Sequence, residues 1–428
     1  LLALYSETPA LDEMDFSPRQ WIDRLKGPDE TDAAFLIRRC DALRAGPWEK
    51  ETFYEDLDVP VRLEPGPDTP ARTRAKYDRS PIVFQERPLS RARPELPDEI
   101  LRPPRAIRSV PPREAKKLID MAREAMATRA RDLDCFAHAD ENDVRLADCG
   151  EGLQFACYGL VPERRLMLES VYGFLTLKNG VPIGYVLTGA LFNSVEAAYN
   201  VFDTYRGAEA GPVYGRVLAM SRALFGADVF MVPPYQLGYG NREGLESGAW
   251  WFYYKLGFRP QDPWVREVLR GELKKMKKNP RHRSDIRTLE QLASENMYYY
   301  IGRPRKDIMG RIGLGNIGMR ITRYLAERFG AKRESGIRKC SREASRLLGV
   351  GPANRLPRGQ RLAWERWSPL ILSLPGVERW SRENRRALAG VVRAKGGRRE
   401  TDFVRLFDRH RLLRRAILKL ADEDSASN

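Results

Sequence analysis

The chain has 428 residues, enough for two or three domains, and 42% hydrophobic content, enough for ordinary cores. No apolar stretch approaches the roughly 18 residues that a membrane span needs, and Leu1–Ala10 does not read as a signal peptide. The net charge of +16 is uneven: residues 1–280 carry 40 Lys+Arg against 42 Asp+Glu, and residues 281–428 carry 34 against 16.

Near the N-terminus, Ser17-Pro18 predicts a capped helix start, and a second helix is expected from Thr31 to Arg44. Prolines recur from Val59 to Pro112, which disfavours long helices and interior strands. That stretch reads as an extended linker laid over a neighbouring domain. Apolar spacing predicts a helix from Glu114 to Arg131, then strands at Val144–Asp148 and Leu153–Leu160 and a short helix from Pro162 to Leu168. Asn179-Gly180 lies between the apolar runs Tyr172–Leu177 and Ile183–Leu187, a hairpin signal because both turn positions need positive φ. A third strand fits Ala197–Thr204, followed by a helix from Pro212 to Phe225 with Gly226 as its stop. A strand at Ala227–Val232 and a helix from Arg242 to Leu256 follow. Residues 264–428 read as nearly all helical, in segments Trp264–Lys278, Ile286–Ser294, Met319–Phe329, Ser335–Leu348, Glu383–Lys395 and Asp402–Ala421.

Three features in this order resemble the GNAT superfamily of N-acetyltransferases. They are the hairpin with its third strand, the turn Arg206-Gly207-Ala208-Glu209-Ala210-Gly211 that opens a helix, and the run Ala249-Trp250-Trp251-Phe252-Tyr253-Tyr254-Lys255-Leu256-Gly257-Phe258. The resemblance covers roughly a third of the chain. It implies an α/β (α+β) fold, a GNAT-like mixed sheet with flanking helices, here followed by a mostly helical basic C-terminal domain. The expected boundaries are 1–110 for an unassigned helical and Pro-rich segment, 111–279 for the GNAT-like domain and 280–428 for the basic helical domain.

The resemblance also implies an acyltransferase that uses acetyl-CoA or another acyl-CoA, with a small-molecule or peptide amine as acceptor. Its diphosphate loop would be Arg206, Gly207, Ala208, Ala210 and Gly211, where small residues let backbone amides at a helix N-terminus approach an anion. Glu209 stands where the family usually has Gly. Tyr253 would be the general acid that protonates the departing thiolate, and Glu196 or Asp203 the base that deprotonates the amine. Tyr253 also belongs to an aromatic cluster of the kind that builds cores.

Gly313-Leu314-Gly315-Asn316-Ile317-Gly318 matches a dinucleotide-binding pattern, but no alternating strands follow it, so it reads as a turn between helices. Five cysteines without a C-x-x-C pair suggest a reducing, cytoplasmic setting, and three histidines make a His-built metal site unexpected. The basic last third suits either solvated helices or an anionic partner such as tRNA docking on residues 280–428. Two other functions therefore stay open beside acyl-CoA transfer: an aminoacyl-tRNA-dependent transferase, and a non-catalytic adaptor for an anionic partner.

Overall fold

The computed structural model describes residues 18–56, 74–86, 94–129, 131–207 and 209–422. Ser17, Ala208 and much of the Pro-rich linker lie outside the described residues. The chain divides into two compact units, Leu1–Thr69 and Pro70–Asn428.

The first unit contributes α1 (Pro18–Leu25), α2 (Asp32–Asp41) and α3 (Pro47–Asp56). Thr31 caps α2, its hydroxyl accepting the Ala34 N–H at 3.2 Å. This helix buries Phe35, Leu36 and Cys40.

The second unit is built on one nine-stranded, mostly antiparallel sheet in the order β1-β2-β3-β4-β5-β6-β7-β9-β8. Residues 74–86 run over the end of a hairpin, where the Tyr77 N–H donates to Gly180 O at 2.8 Å and the Asn179 side chain pairs with the backbone of Val83. Then come α4 (Leu96–Leu101), β1 (Ala106–Ser109), α5 (Pro112–Ala127), α6 (Asp134–Ala137), β2 (Ala139–Gly150) and β3 (Leu153–Leu160). Only a 3₁₀ turn, Pro162–Arg164, forms where a helix to Leu168 was expected. The expected meander is β4 (Ser170–Lys178), β5 (Val181–Leu191) and β6 (Ser194–Val201), with Asn179 and Gly180 at φ 49° and 80° in its first turn. The crossover helix α7 (Ala210–Phe225) ends at Gly226, φ 68°, and leads into β7 (Val229–Val232).

Next are α8 (Pro234–Leu237), α9 (Arg242–Ser247) and α10 (Ala249–Leu256). The single helix expected from Arg242 to Leu256 is thus two, because Gly248 takes φ 69° and turns the chain between them. The unit continues through β8 (Arg259–Pro260), α11 (Pro263–Lys278), α12 (Ile286–Ala293) and β9 (Met297–Tyr300). The last part is helical: α13 (Leu314–Phe329), α14 (Arg333–Leu348), α15 (Arg358–Ser373), α16 (Arg382–Lys395), α17 (Glu400–Arg409) and α18 (Arg411–Asp422). The division of the chain differs from the boundaries read at 110 and 279, because β1 and β9 lie outside that interval yet complete its sheet.

One sheet face packs on α5, whose Leu118, Ile119 and Ala122 meet Tyr158, Leu175 and Tyr185. The other face packs on α7, where the Tyr214 ring stacks on Tyr199 at 6.1 Å. The C-terminal helices join the main core through Trp364, Trp367, Phe403 and Phe407. Asn316, inside the glycine-rich run, donates to Ala421 O at 2.8 Å, and α13 begins at Leu314, separated from β9 by residues 301–313. That run is the cap and first turn of α13 after β9, not the turn between two helices that was expected.

Candidate active site

The site arises where two strands part. β6 and β7 run parallel, paired at Ser194–Val229, Val195–Phe230 and Glu196–Met231. Beyond that register β6 continues to Val201, whereas β7 stops at Val232 and Pro233-Pro234 turn the chain into α8. Backbone groups of β6 beyond Glu196 therefore lose their ladder partner on that side. Gln236 bridges part of the gap, its Nε2 donating to Tyr199 O at 3.0 Å and to Tyr253 Oη at 3.3 Å.

A cavity of about 250 Å³ opens here, lined by Tyr199, Asn200, Val201, Arg206, Ala210, Gln236, Phe252 and Tyr253 among others. Tyr253 sits on α10, which glycines bound at both ends: Gly248 before it and Gly257 (φ 107°) after it. Its ring meets Tyr214 edge-to-face at 5.4 Å and Phe258 at 5.8 Å. Burial pushes its phenol up to about 12, so it keeps its proton at neutral pH. Tyr253 is thus both core and cavity wall.

Period-two alternation sorts β6. Val195, Ala197 and Tyr199 are buried on the α7 side, while Glu196, Ala198 and Asn200 are half-buried on the other. Glu196 occupies the last paired register before the strands part. Burial raises its carboxyl above the ordinary value, and the nearby Glu169 adds to the effect. Asp203 is placed differently. It lies in a 3₁₀ turn with its side chain 72% exposed, paired with Arg206 at 2.8 Å and with Arg131 at 3.4 Å.

The expected diphosphate loop leads into the first turn of α7. Amides of a first turn have no intrahelical acceptor, but here the Ala210 N–H bonds Gly207 O at 3.4 Å, Pro212 has no N–H and the Val213 N–H bonds Glu209 O at 3.0 Å. Arg206 pairs with Glu243 of α9 as well as Asp203, and Arg131 joins Glu243 at 3.3 Å, so four charged residues frame one rim of the cavity. Glu209 lies 3.8 Å from Lys178, which offsets its charge. Gly207 has open space where a side chain would stand. Gly211 has a packing reason for its size: a Cβ there would come within 3.0 Å of Pro94.

The fold thus brings Tyr253, Arg206 and Ala210 to one cavity at the parting of β6 and β7, leaves Glu196 outside its lining on the sheet face away from α7, and holds Asp203, exposed, against Arg206 and Arg131 at the rim. Gln236, Arg131 and Glu243 were not anticipated. No motif marks them, and only the fold carries Arg131, from beyond α5, to α9. No protein-family model, curated protein or solved structure matches this chain. No helix among the described residues is long and apolar enough to cross a membrane.

Proposed function

We propose that this chain is an acyl-CoA-dependent transferase of the GNAT type, most simply an N-acetyltransferase, moving an acyl group from a thioester to an acceptor amine. The observation that carries the reading is the parting of β6 and β7 beyond Glu196 and Met231, beside the first turn of α7 and the Tyr253 hydroxyl. An acyl-thioester cofactor would supply an activated carbonyl and a thiolate leaving group. The surroundings fit it: a helix N-terminus faces the cavity, and the carboxylates of Asp203, Glu209 and Glu243 are each paired with a cation. Arg206, Gly207 and Ala210 would hold its diphosphate.

Each residue's part follows from its surroundings. Tyr253 Oη accepts from Gln236, which leaves its own proton free to be donated toward a developing thiolate. Glu196, at the last paired register and with its carboxyl raised by burial, is the candidate base; standing outside the cavity lining, it would act through water. Asp203 is already engaged by two guanidinium groups. β6 amides beyond the last paired register are the natural donors to a carbonyl oxygen that gains charge.

The test is heat protection by coenzyme A. A ligand at 100 times its Kd stabilises the folded state by about 2.7 kcal/mol, a shift of several degrees in Tm. Saturable protection by coenzyme A, lost in Arg206→Glu, is the expected result; no protection at millimolar ligand contradicts the proposal. A transferase using aminoacyl-tRNA is the second reading, favoured by the net charge of 34 − 16 = +18 on residues 281–428. Co-purified tRNA without coenzyme A binding would select it.

A further inference from the structure

We propose that the outer face of α14, extended by the first turns of α16, docks a nucleic-acid duplex through its phosphates. This surface is separate from the cavity at Tyr253, and the inference stands whether or not that cavity takes a thioester.

Many cations of the C-terminal helices face inward and have structural work. Lys395 is buried against Glu400 at 2.5 Å, Arg385 donates to Leu347 O at 3.0 Å, and Arg414 holds Asp307 at 2.6 Å. The face of α14 is different. Arg338, Lys339, Arg342 and Arg346 are exposed and recur at helical spacing, while Cys340, Ala344 and Leu348 point into the core. Glu334 comes no nearer to Arg338 than 4.0 Å, and Glu343 is already taken by Arg328 at 3.0 Å. Among the described residues, no carboxylate lies within ion-pair distance of Lys339, Arg342 or Arg346, nor of the exposed Arg382 and Arg386 on α16. The Arg385–Leu347 bond brings the first turns of α16 to the C-terminal end of α14.

The chemistry of the face selects the partner. Arginine prevails over lysine, and its guanidinium bonds phosphate bidentately. The stripe from Arg338 to Arg346 spans eight residue steps, about 12 Å at about 1.5 Å per step, near the width of a duplex groove. It has no exposed aromatic on which single-stranded bases would stack. Nor does it carry the apolar wedge that a bilayer-binding helix needs: the exposed large apolar residues of this helical part, Met319 and Leu406, lie on α13 and α17. Backbone contact alone is indifferent to base sequence.

The experiment is fluorescence anisotropy of labelled 20-base-pair RNA and DNA duplexes with the full chain, across a salt series. The test variant is Arg338→Gln, Arg342→Gln and Arg346→Gln together; glutamine is a good helix former, and circular dichroism checks the fold. The control is Lys274→Gln, Lys277→Gln and Lys278→Gln on α11, which are also exposed cations. Expected is at least a tenfold loss in the α14 variant for both duplexes, with the slope of log K against log salt shallower by about 2.7, at about 0.9 per phosphate contact. The control should stay within twofold. Unchanged affinity in the α14 variant, an equal loss in the control, or binding to phosphatidylserine vesicles but not to duplexes would overturn the proposal.

Discussion

Tyr253 keeps its proton because burial disfavours the phenolate, and Gln236 orients its oxygen. Replacing it with Phe removes the donor and keeps the ring packing against Tyr214 and Phe258. In a thioester-cleavage assay with acetyl-CoA, Tyr253→Phe is expected to lower turnover about 10²-fold while coenzyme A affinity is unchanged; full turnover would assign Tyr253 to the core alone. Asp408 gives a prediction of another kind. Burial lifts its carboxyl from 3.8 to about 6, although Oδ2 accepts the Asn193 N–H at 3.1 Å. A carboxyl raised in the folded state contributes stability that is full below about 3.8 and lost as pH rises through about 6. Asp408→Asn should therefore gain on the wild type between pH 4 and 7, by on the order of 3 kcal/mol at 1.4 per pH unit, measured by urea unfolding. A pH-independent difference would refute it. The aromatic run that carries Tyr253 was legible from local sequence because Ala249–Leu256 forms one helix closed by Gly257. Asp408 was not, since Asn193 is 215 residues away in the chain.

The β4–β5 hairpin shows which elements the sequence announces. Asn179-Gly180 states its turn locally, and both residues take positive φ. At Gly180 a Cβ would also lie 2.4 Å from Tyr77 O, so Gly180→Ala is expected to cost about 1–3 kcal/mol in urea unfolding. A neutral result would mean that residues 74–86 do not pack there. Helix α15 was invisible for the opposite reason. Pro369 lies inside it, and a proline normally ends a helix. Here Ser368 Oγ and Ser373 Oγ donate to the carbonyls of Trp364 and Pro369 at 2.5 and 2.8 Å, and Trp364, Trp367 and Leu370 are buried. Tertiary burial overrides the local preference. Strand β9 was likewise read as part of a helical region. Its Met297-Tyr298-Tyr299-Tyr300 run is aromatic and strand-like, but four residues carry too little periodicity to stand out among helices.

Across the molecule, the basic C-terminal helices are tied to the sheet by a buried polar cluster. Asp143 accepts from Tyr172 Oη at 2.5 Å and from the first amide of α17, Glu400 N–H, at 2.9 Å. Arg145 reaches Thr401 Oγ1 at 2.9 Å, and Lys395 holds both Glu400 and Glu169 O. Lys395→Met would leave the buried Glu400 with only the more distant Arg165, at 3.8 Å, as a cation, at an expected cost of about 3–5 kcal/mol, read from urea unfolding; a loss under 1 kcal/mol would mean the cluster does not hold the helices. The same scale decides function, since the cavity exists only where sheet, crossover helix and α10 meet. Isothermal titration with coenzyme A, comparing wild type with Ala210→Glu, tests this most directly. An acidic residue in a first helical turn favours the helix but repels a diphosphate at its N-terminus. Saturable one-to-one binding by the wild type, abolished in a variant of unchanged Tm, is the expected outcome; no binding by the wild type, or equal binding by both, would contradict a thioester site between β6 and β7.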